Sequence, residues 1–188
     1  MKILLVVLGI LLLVGLMFAG KFVSVRNELA VQNEAIAAAW SQVDVALQRR
    51  ADLIPNLVST VKGFATHEQQ VIDSVTAARA ALGGARSPQE KIAANNQLDG
   101  AISRLLVISE NYPNLKSNEN FMRLQDELAG TENRIAVERR KYNEVVQRYN
   151  TQIALFPNNL IASMSGFQRN DAYFKTDPGS RVAPKVAF

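Results

Sequence analysis

The chain of 188 residues contains no cysteine and only one histidine, His67. Without cysteine it cannot form disulfides, thiolate metal sites or a cysteine nucleophile. A single histidine excludes metal sites built on several histidines, and it would be the only base available to a Ser-His-Asp triad. The formal charge of +4 is also too small to indicate a nucleic-acid partner, which normally needs a concentrated basic patch. The composition therefore predicts a protein that is not an enzyme, with no cofactor and no small-molecule substrate.

The longest apolar run follows the first two residues. Residues 3–20 carry no charged or polar side chain, and Lys2 and Lys21 flank them. A helix of this length measures about 27 Å, close to the ~30 Å hydrocarbon core of a bilayer. A cleaved signal peptide would end in an A-x-A-like pattern of small residues, whereas here Met17 and Phe18 are bulky where that pattern needs a small residue. We therefore predict an uncleaved transmembrane anchor over residues 1–21. Its representative membrane-spanning positions are Ile3, Leu12, Gly15, Ala19 and Gly20.

Beyond the anchor, apolar residues recur at steps of three, four and seven, the spacing that places side chains on one face of a helix. The fold class is therefore all-α. Four such runs of similar length with short connections predict an antiparallel up-and-down four-helix bundle of long helices. The helices are expected near residues 22–50, 53–83, 88–112 and 118–155, within a bundle that occupies residues 22–156. A short helix and an extended, irregular C-terminal tail are expected over residues 157–188.

The breaks between the runs differ in clarity. Ser87 and Glu90 have the spacing of a capping box, with Pro88 at the first helical position. The signal for a break before Pro55 is weaker. Asp52 could cap a new helix that has this proline in its first turn. One long helix kinked at Pro55 is the alternative. No proline interrupts residues 3–50, so the first helix is also compatible with a continuous extension of the anchor.

Several residues are candidates for packing or interaction. These are Trp40, Arg49, Arg50, Pro55, Gly130 and Tyr142. Trp40 lies in the apolar phase of its helix, so we expect it to be buried against the second or fourth helix. Gly130 lies within a helical run, where a close helix–helix approach, for example beneath Trp40, would justify a glycine. Arg49 and Arg50 either contact anionic headgroups or form salt bridges and a solvated face.

Glu68 and Glu138 are the carboxylates whose positions could suit a metal site. Glu68 and Glu138 fall in phase with apolar helix faces, but carboxylate di-metal bundles also use two Glu-x-x-His pairs. One histidine cannot supply two such pairs. We therefore expect Glu68 and Glu138 to pair with arginine side chains, and an unrecognised metal or ligand site stays as the alternative.

Several segments resemble the LemA family. They are residues 39–45 (AWSQVDV), 48–58 (QRRADLIPNLV), 110–115 (ENYPNL), 130–135 (GTENRI), 142–143 (YN) and 156–157 (FP). The resemblance implies a bacterial single-pass inner-membrane protein with a long helical bundle, and it implies no catalytic residue. Membrane metalloproteases of the heat-shock type and TPM-domain proteins are partners that the resemblance implies, though no residue here supports either. Basic residues flank the anchor on both sides, which leaves its orientation open with a slight preference for the periplasmic face.

The resulting functional prediction is a non-enzymatic, membrane-anchored scaffold or adaptor. Its expected partners are membrane lipid and a second copy of the chain. Gly15 and Ala19 form a small-xxx-small pattern, which lets transmembrane helices approach closely and so favours a homo-oligomer. An adaptor for a membrane protease is the alternative within the same class.

Overall fold

The computed structural model describes residues 2–65 and 67–175, and these residues form six α-helices and no strand. The helices are α1 (Lys2–Lys62), α2 (Gln69–Gly84), α3 (Pro88–Ser109), α4 (Pro113–Lys116), α5 (Glu119–Ala154) and α6 (Asn158–Met164). Contacts divide the chain into two units. The first unit contains the residues up to Ala39 together with Tyr142–Asp171, and the second contains Trp40–Lys141 together with residues 172–175. The prediction of an all-α fold is confirmed.

Helix α1 differs most from the prediction. It runs without interruption from Lys2 through Pro55 to Lys62, so the predicted separation of helices at residues 51–53 is wrong. The alternative of one long helix through Pro55 is correct only as far as Lys62, because Gln69–Gly84 form a separate helix, α2. The carbonyl of Ala51, which cannot bond to a proline four residues later, accepts a hydrogen bond from Arg79 Nε of α2 at 2.9 Å. The chain breaks instead after Lys62. There Gly63 N donates to the Thr60 carbonyl and tightens the last turn.

The local signals around α3 and α5 predict their beginnings well. Ser87 Oγ accepts from Glu90 N at 3.2 Å, while Glu90 Oε2 accepts from Ser87 N at 3.3 Å, so the capping box is complete and α3 begins at Pro88. The side chain of Asn118 accepts from Phe121 N at 3.1 Å at the start of α5. Both helices lie within three residues of the predicted ranges. The one-turn helix α4 occupies the break between them, where Pro113 begins it.

The helices of the second unit alternate in direction. Lys91 pairs with Asp44 and Asp99 pairs with Arg50, so residue numbers increase together along α3 and α1 and these helices run parallel. Helix α2 packs directly against α3 and is joined to it by three residues, which makes the two antiparallel. Helices α1, α2 and α3 therefore run up, down and up.

Helix α5 completes this order. Glu132 of α5 pairs with Arg50, and Arg139, two turns later, reaches the side chain of Phe174, which stacks on Trp40 of α1. Residue numbers thus rise along α5 as they fall along α1. The predicted up-and-down bundle is therefore confirmed in part, since these helices alternate in direction within the second unit. Its core is formed by apolar residues spaced three and four apart on each helix. They include Val43, Leu47, Ile54, Leu57, Ile72, Val75, Leu98, Ile102, Leu105, Phe121, Leu124, Leu128 and Ile135.

The first unit has its own small core. Val25 and Leu29 of α1 are buried against Ile161 and Ala162 of α6. Phe22, Ile153 and Phe167 pack around this cluster. Helix α6 lies where the sequence predicts a short helix, and Gly166, with φ of 77°, follows it in the left-handed conformation that favours glycine. The segment after Gly166 lies along α5, where the Asn150 side chain bonds the backbone of Asn170 through its amide nitrogen and its oxygen, at 2.7 and 2.9 Å.

Candidate functional site

A buried arginine forms the centre of the second unit. The side chain of Arg50 on α1 is only 7% exposed, and its Nη1 donates to Asp99 Oδ1 on α3 and to Glu132 Oε2 on α5, the latter at 2.7 Å. Asp99 also accepts from Asn95 Nδ2 at 3.0 Å and lies 3.6 Å from Arg139 Nη2. Two cations and two carboxylates therefore meet in one group, which we call the ionic centre (Arg50, Asp99, Glu132 and Arg139). It joins three helices of the unit.

The two neighbouring arginines of α1 have different surroundings. Arg49 is exposed, whereas Arg50 is buried in the ionic centre. For Arg50, the salt-bridge interpretation is therefore confirmed. Residues 139–141 (RRK) form another short basic run, which also contains ion pairs: Arg139 lies beside Asp99, and Lys141 pairs with Glu138 at 3.0 Å.

The sequence predicted that Trp40 would be buried against another helix, and this prediction is wrong. Trp40 is half-buried, and its ring stacks on Phe174 of the C-terminal segment with centroids 6.0 Å apart. The guanidinium of Arg139 also lies over the Phe174 ring, 4.9 Å from its centroid. The aromatic ring thus connects Trp40 to the ionic centre. The prediction was wrong because the contact comes from an irregular segment far along the chain, which leaves no helical period to read.

The predictions for Gly130 and Tyr142 have opposite outcomes. Gly130 is exposed, and a Cβ atom added to it would have no atom of the described residues within 4 Å. The prediction of a close helix–helix approach at Gly130 is therefore wrong. The buried neighbour is Thr131, whose hydroxyl bonds the Leu128 carbonyl within α5. Tyr142 is fully buried, which agrees with its predicted packing role.

Among the residues that the structure describes, neither Glu68 nor Glu138 pairs with an arginine, contrary to the prediction. Glu68 accepts a hydrogen bond from the Tyr112 hydroxyl at 2.9 Å, and Glu138 pairs with Lys141. The bond to Glu68 raises the pKa of Tyr112, because ionising the phenol would place a second negative charge beside the carboxylate. Among residues 2–65 and 67–175, no group of three His, Cys, Asp or Glu side chains is placed to hold a metal ion.

The predicted membrane-spanning positions all lie on the exposed surface of α1. Ile3 and Leu12 are 82% and 61% exposed, and Gly15 has no neighbouring atom within 4 Å. This helix contains an 18-residue window with a mean hydropathy of 3.0, none of which is buried. It is the one helix of the described residues long and apolar enough to cross a membrane. We call residues 3–20 the apolar segment.

Comparison with known families agrees with this architecture. The LemA family model matches residues 39–188, which is more than half of the chain. The chain belongs to the LemA family. The matched range contains the whole ionic centre and begins one residue before Trp40. The apolar segment lies outside it.

Three relatives are similar over most of this chain. Magnetosome protein MamQ 2 of Paramagnetospirillum magneticum is 25% identical over 178 residues, which cover 81% of this chain and 65% of that protein. Magnetosome protein MamQ of Magnetospirillum gryphiswaldense is 25% identical over 85% of this chain and 69% of its own length. Protein LemA of Metamycoplasma hominis is 26% identical over 94% and 80%. The aligned region thus spans slightly less than two thirds of the first of these relatives.

The LemA-like motifs and the ionic centre overlap only in part. The segment at residues 48–58 supplies Arg50 and Pro55, and the segment at 130–135 supplies Glu132. Asp99, which contacts both arginines, lies outside all the motifs, and sequence reasoning missed it. Its position beside Leu98, on the flank of a buried stripe, was the only available signal. Arg79 and Phe174 were missed because the groups that they contact are distant in the sequence.

Proposed function

We propose that this LemA-family chain is a non-enzymatic scaffold, anchored in the bacterial inner membrane by a single helix, which presents helical surface to a second copy of itself. The observation that carries the proposal is the continuity of α1. One uninterrupted helix contains the fully exposed apolar segment and also Leu47, Arg50 and Ile54, which lie in the core of the second unit. An exposed apolar run of this length favours lipid as its surroundings. The matching family and relatives do not carry the names of enzymes, which supports the non-enzymatic part of the proposal.

Retention of the apolar segment is the first part to test. Intact-mass measurement on protein extracted from membranes should return the full chain, and the protein should stay in the membrane pellet during alkaline carbonate washing. A mass that lacks about twenty residues, the usual length of a removed leader, would contradict the anchor. Release into the wash would contradict it as well.

Self-assembly is the second part, and two glycines of the apolar segment allow a matched test. Gly9 and Gly15 both have open space around them, so a leucine at either position fits the single chain. Gly15 belongs to the small-xxx-small pattern with Ala19, whereas Gly9 lies on a different face, since six residues turn a helix by roughly 240°. Mass photometry in mild detergent should show oligomers for the wild type and for Gly9→Leu, and monomers for Gly15→Leu. A monomeric wild type would overturn the self-assembly proposal. Oligomers that survive Gly15→Leu would place the contact outside the apolar segment.

A further inference from the structure

The end of α5 and the outer face of α6 expose large apolar side chains. Phe156 and Met164 are 79% and 73% exposed, and Leu155 and Leu160 are more than half exposed. Ile161 and Ala162 of the same short helix are buried. Helix α6 therefore has apolar side chains on both of its faces, and only one face is covered by the first unit. A water-facing helix normally carries polar residues on its outer face.

The core of the first unit fixes where this surface lies along α1. Ile161 and Ala162 pack on Val25 and Leu29, and Phe22 lies against the same cluster. Phe22 follows the apolar segment by two residues, so it lies about 3 Å beyond Gly20 along the helix axis, and Leu29 lies about 13 Å beyond it. The headgroup layer of a bilayer is about 5–7 Å thick on each side. Phe22 therefore lies within the headgroup layer of an anchored chain, and Val25 and Leu29, about 7 and 13 Å beyond Gly20, follow from the outer edge of that layer outward.

The end of helix α5, which precedes the exposed residues Leu155 and Phe156, lies beside the same part of α1. Ile153, in its last turn, packs against the cluster of Val25 and Leu29. Leu155 and Phe156 follow Ile153 by two and three residues, so the chain holds them within about 7 and 11 Å of it. Two exposed basic residues of α1, Lys21 and Arg26, belong to the same region. Cations next to exposed apolar side chains suit a surface of anionic headgroups over acyl chains.

We propose that Leu155, Phe156, Leu160 and Met164 form a second membrane contact, which lies on the headgroup surface of the leaflet from which α1 emerges. This inference rests on the proposed membrane anchor and extends it. Its partner is the lipid surface, because the exposed patch continues the apolar segment at the bilayer level rather than lying apart from it. The first unit is then held on the bilayer both by α1 and by α6.

The absence of cysteine makes the proposal directly testable in the full chain. Single cysteines replace Leu160 or Met164, and each carries a nitroxide spin label after reconstitution into vesicles of phosphatidylethanolamine and phosphatidylglycerol. Leu12→Cys is the control within the apolar segment. Val31→Cys is the matched control outside it: Val31 is an apolar residue of the same unit, 70% exposed and about 16 Å beyond Gly20 along the helix axis. All four positions are exposed, so the labels leave the core undisturbed.

Power saturation with oxygen, which concentrates in lipid, and with a water-soluble nickel chelate distinguishes the outcomes. We expect nickel access at 160 and 164 to fall between the values at 12 and 31 and to lie several-fold below the value at 31, as suits labels at headgroup depth. Nickel access equal to that at 31, with position 12 still in lipid, would overturn this inference and leave the anchor standing. Labels at 160 and 164 shielded from both reagents would indicate a protein contact and overturn the lipid assignment. A label at 12 open to nickel would overturn the proposed anchor and this inference together.

Discussion

Arg79 of α2 donates a hydrogen bond from its Nε to the carbonyl of Ala51, the group that Pro55 leaves without a helical partner. In an unbroken helix this carbonyl would accept the N–H of residue 55, and proline has none. Ala51 is buried, so an unpaired carbonyl there would cost free energy. The charged donor comes from the next helix of the second unit. This bond explains how α1 continues past a proline that would otherwise favour a break.

The Arg79 bond predicts a specific double-mutant cycle. Arg79→Ala should lower the free energy of unfolding by about 1–3 kcal/mol, because it leaves a buried acceptor without its donor. Pro55→Ala restores an N–H to the helix. In that background the Arg79→Ala substitution should therefore cost much less. Chemical unfolding of the four proteins in mild detergent, followed by circular dichroism, measures both costs. Equal costs in the two backgrounds would show that Arg79 stabilises the unit in another way.

The ionic centre predicts different roles for adjacent arginines. Arg50→Met removes the charge that Asp99 and Glu132 share, and we expect a loss of about 3 kcal/mol, the lower part of the range for breaking a buried ion pair. The two carboxylates are 31% and 43% exposed, so water compensates for part of the loss. Arg49→Met is the matched control, since Arg49 is exposed, and it should change stability by less than about 0.5 kcal/mol. Similar melting temperatures for the two variants would contradict the assignment.

The stack between Trp40 and Phe174 gives an optical signal, because Trp40 is the single tryptophan of the chain. Phe174→Ala exposes the indole to water and should shift its fluorescence emission to longer wavelength. The stability loss should be about 1–2 kcal/mol, the sum of an aromatic stack and a cation–π contact. Phe156→Ala is the control, since Phe156 is exposed and belongs to the first unit. Unchanged emission in Phe174→Ala would place Phe174 away from Trp40 in solution.

Local chemistry explains which parts of the fold could be predicted. The start of α3 depends on Ser87, Pro88 and Glu90, which lie within four residues of one another, and the prediction is confirmed. The helical period likewise identified most of the buried stripes of the second unit, because packing on one face needs only the spacing of three and four.

Features that depend on distant residues could not be predicted in this way. Pro55 by itself indicates a helix start, and its effect is reversed by Arg79, which is 24 residues later. The stacking partner of Trp40 lies in a segment without regular structure, so no pattern points to it. Gly130 illustrates a different error, because the prediction assumed a contact that does not exist. A glycine within a helix was interpreted as the site of a close helix approach, whereas the structure has open space there.

The open space around Gly130 predicts a stabilising substitution. Gly130 lies inside α5, and an added Cβ atom meets no other atom of the described residues within 4 Å. Gly130→Ala should raise the free energy of unfolding by about 0.5–1 kcal/mol, because alanine loses less backbone entropy in a helix. Thermal unfolding by circular dichroism checks this. Destabilisation would instead restore the original prediction of a close packing contact, made by a second copy or another partner.

The capping box at the start of α3 predicts a dependence of stability on pH. The backbone N–H groups of Arg86 and Ser87 donate to the Glu90 carboxylate, and these bonds lower the pKa of Glu90 below its ordinary value. Because the folded-state pKa is the lower one, the contribution to stability is present above the unfolded-state pKa. It is lost as the pH falls through the folded-state pKa.

The matched variant for this prediction is Glu90→Gln, which keeps the shape and acceptor oxygen of the side chain but cannot ionise. At neutral pH the wild type should melt at a higher temperature than Glu90→Gln. The difference should shrink as the pH is lowered through the acid range in which a carboxylate of lowered pKa becomes protonated. Melting curves of both proteins at a series of pH values measure this difference. A gap that stays constant down to the lowest pH would show that the charge of Glu90 contributes nothing and that only its hydrogen-bond geometry matters.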